Sequence, residues 1–155
     1  MSAVVDVTVD GTRSPLGVAR IKDIALGVLR AEKVRDALVS ITLVSPARIA
    51  GINKRHLAHR GATDVISFSL GPTPGRASSA VVGDIYIAPD VARKNARRFG
   101  NGVREELARL VVHGTLHVLG HDHPDGDARV TSPMWRRQEQ LLAKLSPTGR
   151  QVATQ

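Results

Sequence analysis

Cysteine is absent from the 155 residues. Disulfides and thiolate metal sites are therefore excluded, and any bound metal ion must rely on His, Asp or Glu. Aromatic residues are almost as scarce: Phe68, Tyr86, Phe99 and Trp135 are the whole complement. Four rings do not make a base-stacking platform, so contact with RNA is expected to run mainly through phosphate. No apolar run approaches the roughly 20 residues of a membrane span, which argues against a membrane partner. The opening Met-Ser-Ala-Val-Val-Asp lacks the basic start and apolar stretch of a secretory signal. With neither cysteine nor such a signal, the expected location is cytoplasmic. Negative charge is the last deficit: 14 Asp and Glu stand against 22 Lys and Arg, a net charge of +8. That excess suits a polyanionic partner, nucleic acid first, although a solvated arginine-rich surface would look the same.

The length and an apolar fraction of 42% suit one domain with a real core. That domain is expected over residues 1–145, with a patternless, disordered tail at 146–155. Alternating or apolar β-rich runs predict strands at 4–9, 38–44, 64–70 and 81–87. Ser14-Pro15 and Ser45-Pro46 read as helix caps followed by proline, opening helices to about 31 and 57. Further helices are expected at 90–99, from an Asn101 cap onward, and at 133–145. The Gly/Pro/Ser-rich 71–79 and polar 122–131 read as loops. Four strands among helices give an α/β or α+β sheet with helices packed on it.

Against this background, residues 113–123 stand out: His-Gly-Thr-Leu-His-Val-Leu-Gly-His-Asp-His. His113 and His117 are four apart and share one face of a helix. Gly120 ends that helix, so His123 can fold back toward them. Three imidazoles with one open position are what a catalytic Zn²⁺ site needs, although Ni²⁺ and other divalent metals also accept such ligands. A structural ion would want a fourth protein ligand, and His121 or Asp122 lies close enough in sequence. Zinc proteases share the pattern H-E-x-x-H-x-x-G-x-x-H, but the Glu that acts as their base is Gly114 here. Water must then be activated through the metal, or by a base from elsewhere.

The same string resembles the H-G-x-L-H-x-x-G-[YH]-D-H signature of the YbeY family, single-domain metal-dependent endoribonucleases. Upstream, Asn53 followed by Thr63-Asp64-Val65-Ile66-Ser67-Phe68 is similar to that family's N-x9-T-D-V-[LI]-S-F segment. Gly83-Asp84-Ile85-Tyr86-Ile87 resembles its G-D-I-x-I strand, and Met134 before the last helix also fits. The resemblance implies a mixed four-stranded sheet with about five surrounding helices and one zinc ion on His113, His117 and His123. It implies cleavage of single-stranded RNA, maturation of small-subunit ribosomal RNA and ribosome quality control. The partners it implies are ribosomal RNA, the small subunit and its assembly factors; the expected state is a monomer.

In this reading Arg60 is the first candidate to stabilise charge on the phosphate. It stands in for an arginine that the family often carries where this chain has Leu57, with Arg55 and His59 as alternatives. Asp122 is expected to fix a histidine tautomer, and Asp64 and Ser67 to orient the site. Arg93, Lys94, Arg97, Arg98 and Arg104 are expected to hold the RNA backbone. Two alternatives remain open: a metal-dependent hydrolase of peptides or small molecules, and a non-catalytic assembly factor whose metal holds the fold.

Overall fold

The computed structural model describes residues 2–57, 63–71, 80–124 and 126–146. Its strands are β1 (Ala3–Val9), β2 (Ala37–Leu43), β3 (Val65–Ser69) and β4 (Val81–Ile87). They form one mixed sheet in the order β1-β2-β4-β3. β1, β2 and β4 run parallel, and β3 runs antiparallel to β4. The helices are α1 (Val18–Ala31), α2 (Pro46–Leu57), α3 (Pro89–Phe99), α4 (Val103–Val118) and α5 (Pro133–Leu145). The expected single α/β domain with four mixed strands and five helices is the architecture observed.

Alternation along β2 sets the layers. Ala37, Val39, Ile41 and Leu43 are buried, while Leu38 between them is exposed. The main core lies between this sheet and α1, α4 and α5. A smaller core joins Ile49 and Ile52 of α2 to Ile66, with Phe68 and Tyr86 packed against it. α4 is the central helix. Leu107, Ala108, Val111, Val112, Thr115 and Leu116 all have no exposed surface. A side chain of leucine size buried this way contributes about 1.5–3 kcal/mol.

Two glycines bring α4 unusually close to the sheet. A Cβ on Gly114 would sit 2.8 Å from Ile85 Cγ2, and one on Gly83 would sit 2.4 Å from Val118 Cγ1. Neither position can take a larger residue without moving helix from strand. The helix is thereby held at a fixed depth, with His113 and His117 half-buried on its flank.

Three local expectations change. α1 begins at Val18 with Gly17 before it, because the Ser14 hydroxyl turns back onto Leu16 and closes a local turn instead of capping a helix. Asn101 does not cap α4; Gly102 does. Gly100 ends α3 at φ +74°, and the Asn101 N–H is used to donate to Ala96 O. Within the expected loop 122–131, Gly126–Thr131 forms a 3-10 turn, η1. Ser45 and Ser132 do cap their helices, through Arg48 N–H and Trp135 N–H.

Candidate metal centre

The helix C-terminus builds the site. Gly120 adopts φ +100°, and the N–H groups of Gly120 and His121 donate to the carbonyls of His117 and Leu116. This paired closure is a Schellman turn, which reverses the chain and returns residue 123 to the flank of α4. The rings of His113 and His117 lie 4.6 Å apart, and His123 lies 5.1 and 4.9 Å from them. One nitrogen from each ring falls within 4.8 Å of the other two. That spread suits three ligands around one ion with metal–nitrogen bonds of about 2.0–2.1 Å.

Each ring also has its other nitrogen tied down. His113 Nδ1 meets Gln138 Oε1 at 2.6 Å, His117 Nδ1 meets His121 O at 2.9 Å, and His123 Nδ1 meets Pro124 O at 3.0 Å. All three partners are acceptors, so each Nδ1 carries the proton and each Nε2 keeps its lone pair. The assignment at His113 follows from further back. Arg109 can only donate, and it grips Glu139 through Nε (2.9 Å) and Nη2 (3.2 Å). Glu139 accepts from Gln138 Nε2 at 2.9 Å, which leaves Gln138 Oε1 toward His113. The donor set of three neutral imidazoles fits a divalent transition metal.

Electrostatics favours the same state. Burial, then the neighbouring rings, pushes His113 down to about 4. Burial and the facing His123 lower His117 as well. Both are neutral at physiological pH, as metal ligands must be.

The sequence model of the family described as Endoribonuclease YbeY matches residues 13–146. The chain belongs to that family. An endoribonuclease YbeY of Frankia casuarinae is 35% identical over 139 residues, covering 84% of this chain and 68% of the relative. One from Acidothermus cellulolyticus is 38% identical over 133 residues, covering 79% and 80%. The solution structure of TM1509 from Thermotoga maritima has the same fold, with a TM-score of 0.63 at 25% identity. It covers 96% of this chain and 93% of that one.

Within this YbeY fold, Gly114 explains why the protease base is missing. Its Cα faces Ile85 on β4, so a carboxylate there would be driven into the sheet. His121 is not a fourth ligand among the described residues. Its Nε2 bonds Glu32 Oε1 at 2.8 Å, and Glu32 is also held by Arg137 at 2.8 Å. Burial opposes the Glu32 charge, but bonds from Arg137 and His121 hold its pKa below the usual range. His121 thus anchors the turn after α4 to α1. Asp122 accepts the backbone N–H of His123 at 2.9 Å, shaping the turn, whereas the ring protons go to Gln138 and two carbonyls. Arg60 and His59 lie outside the described residues.

A cleft of about 340 Å3 opens beside His113, with Asp64 and Arg129 in its wall. Burial raises the Asp64 pKa, partly countered by a 3.1 Å bond from Asn95. Of the basic residues on α3, Arg93 pairs with Asp90 at 3.0 Å, whereas Lys94 and Arg97 are exposed. Arg98 lies 5.5 Å from the Phe99 ring centroid. Ser67 pairs with Ile85 across β3 and β4, on the face of the sheet that carries α4. The sequence reading missed Gln138, Glu139, Arg109 and Arg129. None of the four stands out in the sequence; Gln138 is marked only by the structure, where it is a polar side chain at 1% exposure in α5.

Proposed function

We propose that this chain is a metal-dependent endoribonuclease that cleaves single-stranded RNA, with one zinc ion on His113, His117 and His123. Three imidazoles with fixed tautomers at one point, in a chain whose relatives are named as endoribonucleases, carry the reading. Other divalent metals such as Ni²⁺ fit the same ligands. When bound, the ion supplies Lewis acidity toward water and a phosphoryl oxygen. The protein's own part is positional. Gln138 and the carbonyls of His121 and Pro124 hold the rings, so no ligand has to reorient as the reaction proceeds. The net charge of +8 and the exposed Lys94, Arg97 and Arg104 attract a polyanion. Arg60 supplies a further cation to the phosphate, and Asp122 sets the turn that presents His123.

The biological substrate in this proposal is ribosomal RNA, in 3'-end maturation and quality control of the small subunit, together with its assembly factors in the cytoplasm. No helix among the described residues is long and apolar enough to cross a membrane. The test compares the wild type with a His113→Ala, His117→Ala variant, on single-stranded ribosomal RNA and on casein. Metal content by elemental analysis and RNA cleavage should be lost together, with casein untouched by either protein. Cleavage by metal-free protein would overturn the proposal.

A further inference from the structure

Two of the chain's four aromatic residues line the cleft beside His113: Phe99, at the end of α3, and Trp135, in the first turn of α5. Phe99 is 69% exposed, a conspicuous position for the chain's scarcest kind of side chain. Most of the polar wall is acidic or amide: Asp64, Glu106, Asn95, Asn101 and Gln138. Asn95 donates to Asp64, and Glu106 accepts from Arg109 at 2.9 Å. Arg109 is itself taken up by Glu105, Glu106 and Glu139. A phosphate pushed into this cleft would meet two carboxyl groups and a guanidinium that is already neutralised. A nucleobase meets rings to stack on and an edge of donors and acceptors. Its volume, about 340 Å3, lies within the usual range for small-ligand sites.

The cleft has one more cation, Arg129. Its carbonyl is pinned by the N–H and hydroxyl of Ser132, and its guanidinium lies 5.9 Å over the Trp135 ring. It enters no ion pair among the described residues, and its charge is felt by both Asp64 and His113. It lines the same cleft as Asp64 and His113.

We propose that this cleft is a nucleobase subsite. It takes the base of a nucleotide flanking the cleaved bond against Trp135 and Phe99, with Asp64 and Asn95 at the base edge and Arg129 on the adjoining phosphate. The proposal rests on the endoribonuclease reading and names where the strand is gripped. It also adds base stacking to a contact that was expected to run mainly through phosphate.

Trp135 is the chain's single tryptophan, so its fluorescence reports on the cleft. The metal-loaded full chain is titrated with the four nucleoside 5'-monophosphates and with inorganic phosphate. Nucleotides should quench Trp135 saturably, at concentrations at least tenfold below any effect of phosphate. Arg129→Ala should weaken all four nucleotides alike, and Asp64→Asn should change their ranking. For RNA cleavage, Trp135→Leu should raise KM about tenfold with kcat kept, and Trp135→Phe should restore KM. Equal quenching by phosphate, or flat fluorescence in a protein that cleaves RNA, overturns the subsite alone. Nucleotide-specific quenching in a protein that cleaves no RNA supports the subsite and overturns the reaction.

Discussion

Replacing Gln138 by Leu tests how much the site depends on a residue that touches no substrate. Gln138 is 1% exposed, and its Oε1 accepts a hydrogen bond from His113 Nδ1–H at 2.6 Å. Leucine fills similar space but offers no acceptor, so the His113 N–H loses its partner and the ring is freed to rotate or change tautomer. Loss of an outer partner of this kind costs about 10–100-fold in metal affinity, or about 1.4–2.7 kcal/mol. The unsatisfied N–H and the released Glu139 oxygen add about 1–3 kcal/mol of lost fold stability in the metal-free protein. The assay is a zinc titration against a chromophoric chelator, with thermal melting of the metal-free protein alongside. Gln138→Glu keeps an acceptor for His113 but loses the donor to Glu139, so it should melt below the wild type while binding zinc more tightly than Gln138→Leu. Zinc affinity unchanged in Gln138→Leu would refute the claim that this bond orients His113.

Three further outcomes follow from the geometry. Gly114→Glu, which would complete the protease pattern, should confer no casein cleavage; it should also cost about 3 kcal/mol or more in urea denaturation, because its Cβ starts 2.8 Å from Ile85 Cγ2. In metal-free protein, His113 has its pKa pushed from 6.5 to about 4, so the unfolded chain binds more protons between those values. Its contribution, up to about 3 kcal/mol, is complete above pH 6.5 and is lost as pH falls toward 4, readable as a falling melting temperature. Lys94→Ala with Arg97→Ala should weaken RNA binding and lower the slope of log affinity against log salt by about 1.4, with zinc content unchanged.

The sequence made the elements legible where local chemistry and tertiary packing agree. Ser45-Pro46 caps a helix because the serine reaches a free N–H of the first turn. Ser14-Pro15 reads the same way on paper, yet the hydroxyl finds Leu16 first and the helix starts later. The histidine spacing was legible because one helical turn and one glycine reversal suffice to bring three rings together. Gly114 was noticed as a missing base, but its reason, contact with Ile85, depends on a strand some 30 positions upstream. Gln138 and the Arg109–Glu139 pair were illegible because α5 returns to α4 only in three dimensions. The scarcity of aromatics argued against base stacking, since composition cannot say that Phe99 and Trp135 share a cleft.

The central claim is that one metal ion on His113, His117 and His123 makes this protein cleave RNA. The most direct measurement is cleavage of a single-stranded ribosomal RNA fragment by metal-stripped protein as zinc is added back in sub-stoichiometric steps. The account predicts no cleavage at the start, a linear rise to one equivalent per chain, and no rise in the His117→Ala variant. Full cleavage without added metal, or a rise that continues unchanged in His117→Ala, would contradict it.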